Sequence, residues 1–329
     1  MAGPVCRRGR PGRPSHFSAS RTCSTRRLLQ VCRNLSVFVG IKVPLSTPVS
    51  AGRDAPQGAP RLVIENVTTG YGGKTVVEGL SLEIPDASLT ILVGPNGCGK
   101  STLLKAMARV LPLGGGRITL DGKAVHATPT RDVARKLALL PQGPVAPEGL
   151  TVRELVAQGR FPHQSLLRQW SREDARALDS AMAAADVADF ADRPVSDLSG
   201  GQRQRCWIAM VLAQETDIIL LDEPTTFLDL KVQVDLLSLL RRIAHEEGRT
   251  LVVVLHELNV AAAFADLLVM MKDGRLVAGG SVGETFTSDR LEEVFGLDAS
   301  VLTDPSSGRP VCVPNVAPRG WSGQGLAAQ

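Results

Sequence analysis

A glycine-rich run that begins at Gly94 carries the clearest chemical pattern in this 329-residue sequence. It reads Gly94-Pro-Asn-Gly-Cys-Gly-Lys100-Ser101-Thr102, which fits the phosphate-loop pattern G-x-x-x-x-G-K-[ST]. An apolar strand is predicted before it, at Leu89 to Val93, and a helix after it, at Lys100 to Leu111. Glycine N–H groups can surround phosphate oxygens, and a helix N-terminus adds a positive dipole. The run therefore predicts a nucleoside triphosphate site.

Within this loop, Lys100 is predicted to reach the β and γ phosphates, and the Ser101 hydroxyl is predicted to bind Mg²⁺. The residues predicted to contact the nucleotide here are Gly94, Asn96, Gly97, Cys98, Gly99, Lys100, Ser101 and Thr102. Cys98 lies beside the predicted helix N-terminus, whose dipole favours a thiolate. We therefore expect Cys98 to have a lowered pKa and to be the most reactive of the six cysteines.

Two carboxylates, Asp222 and Glu223, follow a second apolar strand predicted at Ile218 to Leu221. In phosphate-loop enzymes an Asp at the end of such a strand completes the Mg²⁺ ligands. Glu223 is then placed to polarise the attacking water as a general base. Taken alone, the pair could equally be two solvated carboxylates at a strand end. The remaining motifs favour the catalytic interpretation.

A second glycine-containing run, Leu198-Ser199-Gly-Gly201-Gln202, precedes another predicted helix and resembles the signature motif of the ABC ATPases. A Ser hydroxyl, glycine N–H groups and a helix N-terminus form a second phosphate-binding arrangement. Since the chain already has one phosphate loop, the resemblance implies that Ser199, Gly201 and Gln202 contact the nucleotide of a partner subunit. It therefore implies a head-to-tail homodimer that holds two ATP molecules.

The other ABC elements follow in the family's order, and their roles are those that the resemblance implies. Gln142 matches the glutamine that touches Mg²⁺ and the lytic water. Asp229 matches the D-loop aspartate at the dimer interface, and His256 matches the switch histidine that bridges the γ-phosphate and Glu223. Tyr71, the only tyrosine, matches the aromatic residue that stacks on adenine. The implied catalytic residues are Glu223, His256 and Gln142, and the implied metal ligands are Ser101, Gln142 and Asp222.

The elements that must position these residues alternate between strands and helices, which predicts an α/β fold with a largely parallel sheet. The resemblance implies a P-loop NTPase (ABC ATPase) core with an antiparallel β subdomain. Thr151 and Glu154 have capping-box spacing, and Ser171 begins an Ala-rich helical pattern. An inserted helical subdomain is therefore predicted at about 144–212, within an ABC ATPase domain at 61–316.

The chain's charge is unevenly distributed. Ten of its 37 basic residues precede Asp54, the first acidic residue, so the remainder carries 27 basic and 33 acidic residues. A mildly acidic body argues against nucleic acid as a partner. Residues 1–60 are predicted to be a disordered basic extension. Two alternatives are a mitochondrial transit peptide, whose Arg-rich and Ser-rich composition they share, and translation assigned from a start codon upstream of the true one. Residues 317–329 are predicted to be a disordered tail.

The segment Gln158-Gly-Arg160-Phe161-Pro162-His163 resembles the one that follows the Q-loop in importers of ferric siderophores, haem and vitamin B12. The runs 201–214 and 256–259 most resemble the siderophore branch. This resemblance implies an ATP-hydrolysing subunit of a ferric-siderophore importer, and Arg160 to His163 are expected where such ATPases meet their permease. Vitamin B12, haem or a metal remains an alternative cargo, and a non-transport ABC ATPase or an inactive ABC-like module remains an alternative function.

The same resemblance implies the partners and the location. No stretch of the sequence has the roughly 18 uninterrupted apolar residues of a membrane-spanning helix. Separate transmembrane permease subunits are therefore expected, and through them an extracytoplasmic substrate-binding protein. The expected location is the cytoplasmic face of the cell (inner) membrane, as a peripheral subunit.

Overall fold

The computed structural model describes residues 60–164 and 170–316. The predictions of a basic extension at 1–60 and of a tail at 317–329 therefore lie outside the described residues, apart from Pro60. The strands are β1 (Leu62–Tyr71), β2 (Lys74–Ile84), β3 (Leu89–Val93), β4 (Leu113–Leu120), β5 (Lys123–Ala124), β6 (Leu137–Leu140), β7 (Ile218–Asp222), β8 (Thr250–Val254), β9 (Leu267–Lys272), β10 (Arg275–Gly280), β11 (Ala299–Thr303) and β12 (Pro310–Pro314).

A six-stranded sheet in the order β10-β9-β3-β8-β7-β6 forms the centre of this part of the chain. Neighbouring strands from β9 to β6 are parallel, and β10 is antiparallel to β9. A turn at Asp273-Gly274 joins β9 to β10, and both residues have the positive φ that such a tight hairpin turn needs. The largely parallel sheet predicted from the sequence is confirmed.

Strands β3, β7 and β8 are buried along their whole lengths, which explains why their sequences are apolar except at Thr90, Asp222 and Thr250. Their side chains alternate between two apolar cores. In β3, for example, Ile91 and Val93 pack in the core that contains most of the helices. Leu92 packs in the other core, against the helix after the phosphate loop and the second sheet. Burial on both faces fixes the position of each strand end that bears a candidate catalytic residue.

The second sheet is antiparallel, in the order β2-β1-β4-β5, and confirms the expected antiparallel subdomain. The helices are α1 (Lys100–Met107), α2 (Thr130–Ala134), α3 (Val152–Ala157), α4 (Arg172–Ala184), α5 (Gly200–Ala213), α6 (Leu230–Glu246), α7 (Leu258–Phe264), α8 (Val282–Thr285) and α9 (Ser288–Phe295). Helix α1 ends at Met107, not at Leu111 as predicted, because the chain turns at Arg109, which has a positive φ of 61°.

Helices α3, α4 and α5 lie in the region predicted as a helical subdomain at about 144–212. The capping box predicted at Thr151 is formed, and Ser171, predicted to begin a helix, does so with a capping box of its own. Residues 144–151 are not helical, contrary to the prediction. Pro144 and Pro147 have no backbone N–H to donate, and Gly149 has a φ of 76°, so this stretch cannot continue a helix.

Candidate functional site

The phosphate-loop residues lie at the carboxyl end of β3, where the chain passes into α1. A Cβ atom at Gly94 would lie 2.2 Å from the carbonyl oxygen of Met271, so only glycine fits at this position. Gly99 has a φ of 103°, which favours glycine, and it brings the chain into the first turn of α1. Lys100 is buried, and its Nζ donates to the carbonyl oxygens of Gly94 at 2.7 Å and Pro95 at 3.0 Å. The lysine is therefore held within the loop.

Two of the predicted metal ligands are in direct contact. The Ser101 hydroxyl donates to Oδ1 of Asp222 at 2.7 Å, which joins the start of α1 to the end of β7. Burial raises the pKa of Asp222, and the nearby Glu223 charge adds to this, against the hydrogen bond from Ser101. One hydroxyl and one carboxylate, with phosphate and water oxygens, are the ligand set that Mg²⁺ commonly takes in nucleotide sites. The pair therefore fits the predicted magnesium site.

The carboxylate of Glu223 is held by three neighbours. Its Oε1 lies 2.5 Å from Nε2 of His256, and its Oε2 accepts from Nε2 of Gln142 at 2.6 Å. The third contact is with Thr226, whose hydroxyl donates to Oε2 at 3.2 Å. Glu223 has a φ of 53°, a conformation uncommon for a non-glycine residue and typical of functional positions.

The structure therefore brings together the three predicted catalytic residues, which come from the ends of three neighbouring parallel strands, β6, β7 and β8. Gln142 makes no hydrogen bond with the Ser101–Asp222 pair among the described residues, and its amide nitrogen donates to Glu223. Thr226 was missed by the sequence analysis. The signal that could have found it is its place in the run Thr225 to Asp229, which matches the D-loop, three residues after Glu223.

The signature residues form the first turn of α5, which a capping box begins. The backbone N–H of Gln202 donates to the Ser199 hydroxyl at 3.3 Å, and the N–H of Ser199 donates to Oε1 of Gln202 at 3.1 Å. A Cβ atom at Gly201 would lie 2.7 Å from a methyl group of Val232, so glycine allows α5 and α6 to approach closely here. The turn is thus rigid, and its N-terminal end is free to face an anion.

An open cleft of about 300 Å³ separates this turn from the D-loop. Its lining includes Ser199, Gly201, Gln202 and Asp229, but no residue of the chain's own phosphate loop. Asp229 caps α6, because its Oδ1 accepts from the N–H of Val232 at 3.0 Å. Phe227, which the sequence analysis did not single out, lies on the cleft with its side chain fully exposed and a φ of 63°.

Tyr71 is the last residue of β1, and its backbone pairs with Lys74 across the turn to β2. Its side chain is about half exposed, at the end of β1 where the chain turns into β2. This exposure is compatible with the predicted stacking on adenine. Among the described residues, none forms a hydrogen bond with the Tyr71 hydroxyl that would hold the ring away from a nucleotide.

Comparison with known proteins decides the family. The family model described as "ABC transporter" matches residues 77–226. The probable siderophore transport system ATP-binding protein YusV of Bacillus subtilis (strain 168) is 50% identical over 258 residues, which cover 78% of this chain and 94% of the relative. The chain is an ABC transporter ATPase. The ferric enterobactin transport ATP-binding protein FepC of Escherichia coli (strain K12) is 48% identical over 254 residues, covering 77% of this chain and 94% of that protein.

Solved structures of ABC transporters support the same assignment. A metal-chelate type ABC transporter in an inward-facing conformation matches with a TM-score of 0.68 at 28% identity, over 77% of this chain and 97% of that one. A dimeric bacterial ABC transporter cassette matches with a TM-score of 0.60 at 28% identity, over 67% of this chain and 98% of that one. The predicted family, fold class and ATPase activity are therefore confirmed. Across 60–164 and 170–316 of this ABC ATPase, no helix is both long and apolar enough to span a bilayer.

One expectation for the phosphate loop of this ABC ATPase is wrong. Cys98 is buried, and its Sγ would lie only 2.7 Å from a Cβ atom placed at Gly94. Burial raises the pKa of the Cys98 thiol and outweighs the opposing effect of the Lys100 ammonium, whose Nζ lies 3.8 Å from Sγ. The position of Cys98 at a helix N-terminus is as predicted. The sign of the pKa shift is reversed because the thiol is shielded from water.

Within the run from Arg160 to His163, one residue differs from the expected permease-facing role. Arg160 is 3% exposed and pairs with the buried Asp174 at 2.9 Å and with Glu215 at 2.8 Å. His163 contacts the carbonyl oxygen of Gln214 through Nε2 at 2.8 Å. Phe161 is 65% exposed. Arg160 is therefore a buried structural residue of the ABC ATPase, His163 is partly exposed, and Phe161 is the most exposed side chain of this run.

Proposed function

We propose that this ABC ATPase powers the import of ferric siderophores through separate permease subunits. The ATPase part of this proposal rests on the contacts of Glu223 with His256 and Gln142. These contacts place a carboxylate base between two polar groups that can interact with a bound γ-phosphate. Most of the cargo assignment rests on the similarity to transport proteins for siderophores and ferric enterobactin.

In the proposed reaction, ATP binds to the loop of one subunit, and Lys100 leaves its carbonyl partners to contact the β and γ phosphates. A bound Mg²⁺, held by Ser101 and Asp222 with Gln142 nearby, would neutralise phosphate charge. Glu223 takes a proton from the attacking water, and His256 stabilises the charge that develops on the γ-phosphate. Tyr71 stacks on the adenine.

The second subunit is needed because the signature turn of one chain lies away from that chain's own phosphate loop. We propose that Ser199, Gly201 and Gln202 of one subunit close over the nucleotide of its partner in a homodimer, with Asp229 at the interface. The cleft between the signature turn and the D-loop is open, and the exposed Phe227 on it provides apolar surface for such a contact.

The transmembrane path must come from other polypeptides in this proposal. Permease subunits would bind the ATPase at the cytoplasmic face of the membrane, close to the exposed Phe161 and to Val145, which follows Gln142 and is also exposed. An extracytoplasmic substrate-binding protein would deliver the ferric siderophore to those permeases. We propose no nucleic-acid partner, because the body of the chain carries more acidic than basic residues.

Deletion of the gene tests the cargo. We expect the strain to lose uptake of labelled ferric siderophore and growth on siderophore-bound iron, while growth on abundant free iron continues. The wild-type gene should restore uptake, and a Glu223→Gln version should not, because transport depends on ATP hydrolysis. The measurement is accumulation of labelled siderophore, vitamin B12 and haem in parallel. Unchanged siderophore uptake with loss of vitamin B12 or haem uptake would contradict the siderophore assignment and leave the ATPase assignment intact.

A further inference from the structure

Gln233 lies in the first turns of α6 and is the polar residue of that helix buried deepest, at 7% exposure. Its Nε2 donates to the carbonyl oxygens of Thr225 at 3.4 Å and Leu228 at 3.2 Å. The same nitrogen lies 3.3 Å from Oε1 of Glu257, so its two N–H hydrogens are shared among three acceptors. Side chains near the start of a helix point back towards its N-terminus, which is why Gln233 reaches the D-loop that precedes α6.

All three neighbours of this amide nitrogen are hydrogen-bond acceptors, namely two backbone carbonyls and one carboxylate. Only the nitrogen of Gln233 can face them, which fixes the orientation of the carboxamide. Asn would be one methylene too short, and an apolar side chain would leave buried carbonyl groups without this donor. The position therefore requires a neutral donor of the length of glutamine.

The three contacts join two segments that carry the catalytic groups. Thr225 to Leu228 follow the base Glu223, and Thr226 of this segment contacts the base directly at 3.2 Å. Glu257 is the residue after the switch histidine, His256. The two segments are therefore linked twice, once through the 2.5 Å contact of His256 with Glu223 and once through Gln233.

This double link matters because the first of its two contacts must change during the proposed reaction. When His256 also contacts the γ-phosphate, it is shared between Glu223 and the phosphate, and the side-chain contact between the two segments is weakened. The bond from Gln233 to Glu257 involves neither reacting side chain, so it can persist and hold the backbone at 256–257 at its distance from the D-loop.

We propose that Gln233 is a positioning residue, which acts through Glu257 to set the place of His256 relative to Glu223 during ATP hydrolysis. It does not touch the nucleotide in this account. The inference depends on the ATPase activity and is independent of the cargo, so loss of the siderophore assignment would leave it unaffected.

The test compares steady-state ATP hydrolysis by the full chain and by the variants Gln233→Met, Glu257→Leu and the double variant. A displacement of His256 by a fraction of an ångström should lower kcat about tenfold in Gln233→Met, with the KM for ATP within about twofold of wild type. Glu257→Leu should lower kcat more than twofold, but by no more than Gln233→Met does. The double variant should be no slower than Gln233→Met, because both changes break the same link.

Two matched controls separate this role from a general loss of structure. Glu257→Gln keeps an acceptor oxygen for Gln233, and Glu246→Gln changes an exposed carboxylate at the other end of α6. Both should retain kcat within about twofold. If Gln233→Met fails to fold, the kcat of Glu257→Leu is compared with that of Glu257→Gln instead. Glu257 is exposed, so both of these variants should fold.

Three results would overturn the proposal. The first is a kcat within twofold of wild type in folded Gln233→Met. If Gln233→Met does not fold, the same result in Glu257→Leu would overturn the proposal. The second is a double variant whose losses multiply to about a hundredfold, which would show that the two residues act independently. The third is a fall in ATP affinity and thermal stability that accounts for the whole loss of activity.

Discussion

Replacing Glu223 with Gln is expected to lower kcat for ATP hydrolysis at least about a hundredfold, or about 2.7 kcal/mol in activation free energy, while ATP still binds. The amide cannot accept the proton of the attacking water. The phosphate loop, with Lys100 and Ser101, is untouched by this change. ATP should therefore remain bound, and an ATP-bound dimer should accumulate because the step that reopens it is blocked.

The rate of hydrolysis is measured in steady-state and single-turnover assays, and ATP affinity in a nucleotide-binding assay. Size-exclusion chromatography with ATP measures the accumulation of the dimer. Glu292→Gln is the matched control, since it makes the same chemical change at an exposed position on α9. It should hydrolyse ATP at the wild-type rate. Near-normal turnover in Glu223→Gln would remove Glu223 from the role of general base.

Replacing Arg160 with Met is expected to lower the free energy of unfolding by about 3–5 kcal/mol, because it leaves a buried carboxylate without its cation. The side chains of Arg160 and Asp174 are only 4% and 5% exposed, and their Nε and Oδ1 atoms lie 2.9 Å apart. Arg160 also donates to the carbonyl oxygen of Ala213 at 2.7 Å, so it joins α4 to the end of α5.

Burial raises the pKa of Asp174, but hydrogen bonds from Ser171 and the Arg160 guanidinium outweigh it, and the net pKa lies below the ordinary value. A lowered folded-state pKa stabilises the protein above the carboxyl's unfolded pKa, and that stabilisation is lost as pH falls through the folded pKa. Arg160→Met should therefore lose less stability, relative to wild type, in strong acid than at neutral pH.

Arg153→Met is the matched control for denaturant unfolding, because its ion pair with Asp179 is exposed, at 47% and 67% for the two side chains. An exposed pair contributes about 0–1 kcal/mol, so this variant should unfold near the wild-type midpoint. If both variants unfold at the same midpoint, the buried pair does not stabilise the packing of α4 and α5 as described.

The sequence was sufficient for features that depend on local pattern. The strand β3 agrees with its prediction to the residue, and α1 begins where the phosphate loop predicts, because adjacent residues determine both. The alternation of strands with helices predicted a largely parallel sheet. Once the strands are parallel neighbours, Gln142, Glu223 and His256 meet at one edge, so much of the candidate site could be predicted.

Features that depend on distant residues could not be predicted. The partners of Arg160 are 14, 53 and 55 positions away, and nothing near it in the sequence indicates that it is buried. Gln233 contacts Glu257 across 24 positions. The pKa of Cys98 was predicted in the wrong direction because its exposure depends on how Gly94 and β9 pack around the loop. Each of these depends on tertiary packing, which a single sequence does not display.

The central claim is that each ATP site is completed by two chains, with the phosphate loop of one and the signature turn of the other. Lys100→Ala removes the first function and Ser199→Arg the second, so each variant alone should be inactive. Ser196→Arg, an exposed change three residues before Ser199, is the control and should stay active.

Mixing the Lys100→Ala and Ser199→Arg chains in equal amounts with ATP tests this claim most directly. Half of the random dimers then carry one intact site, formed by the phosphate loop of the Ser199→Arg chain and the signature turn of the Lys100→Ala chain. We predict that ATP hydrolysis returns to about a quarter of the wild-type rate. A mixture of folded chains that is no more active than either variant alone would contradict the composite site.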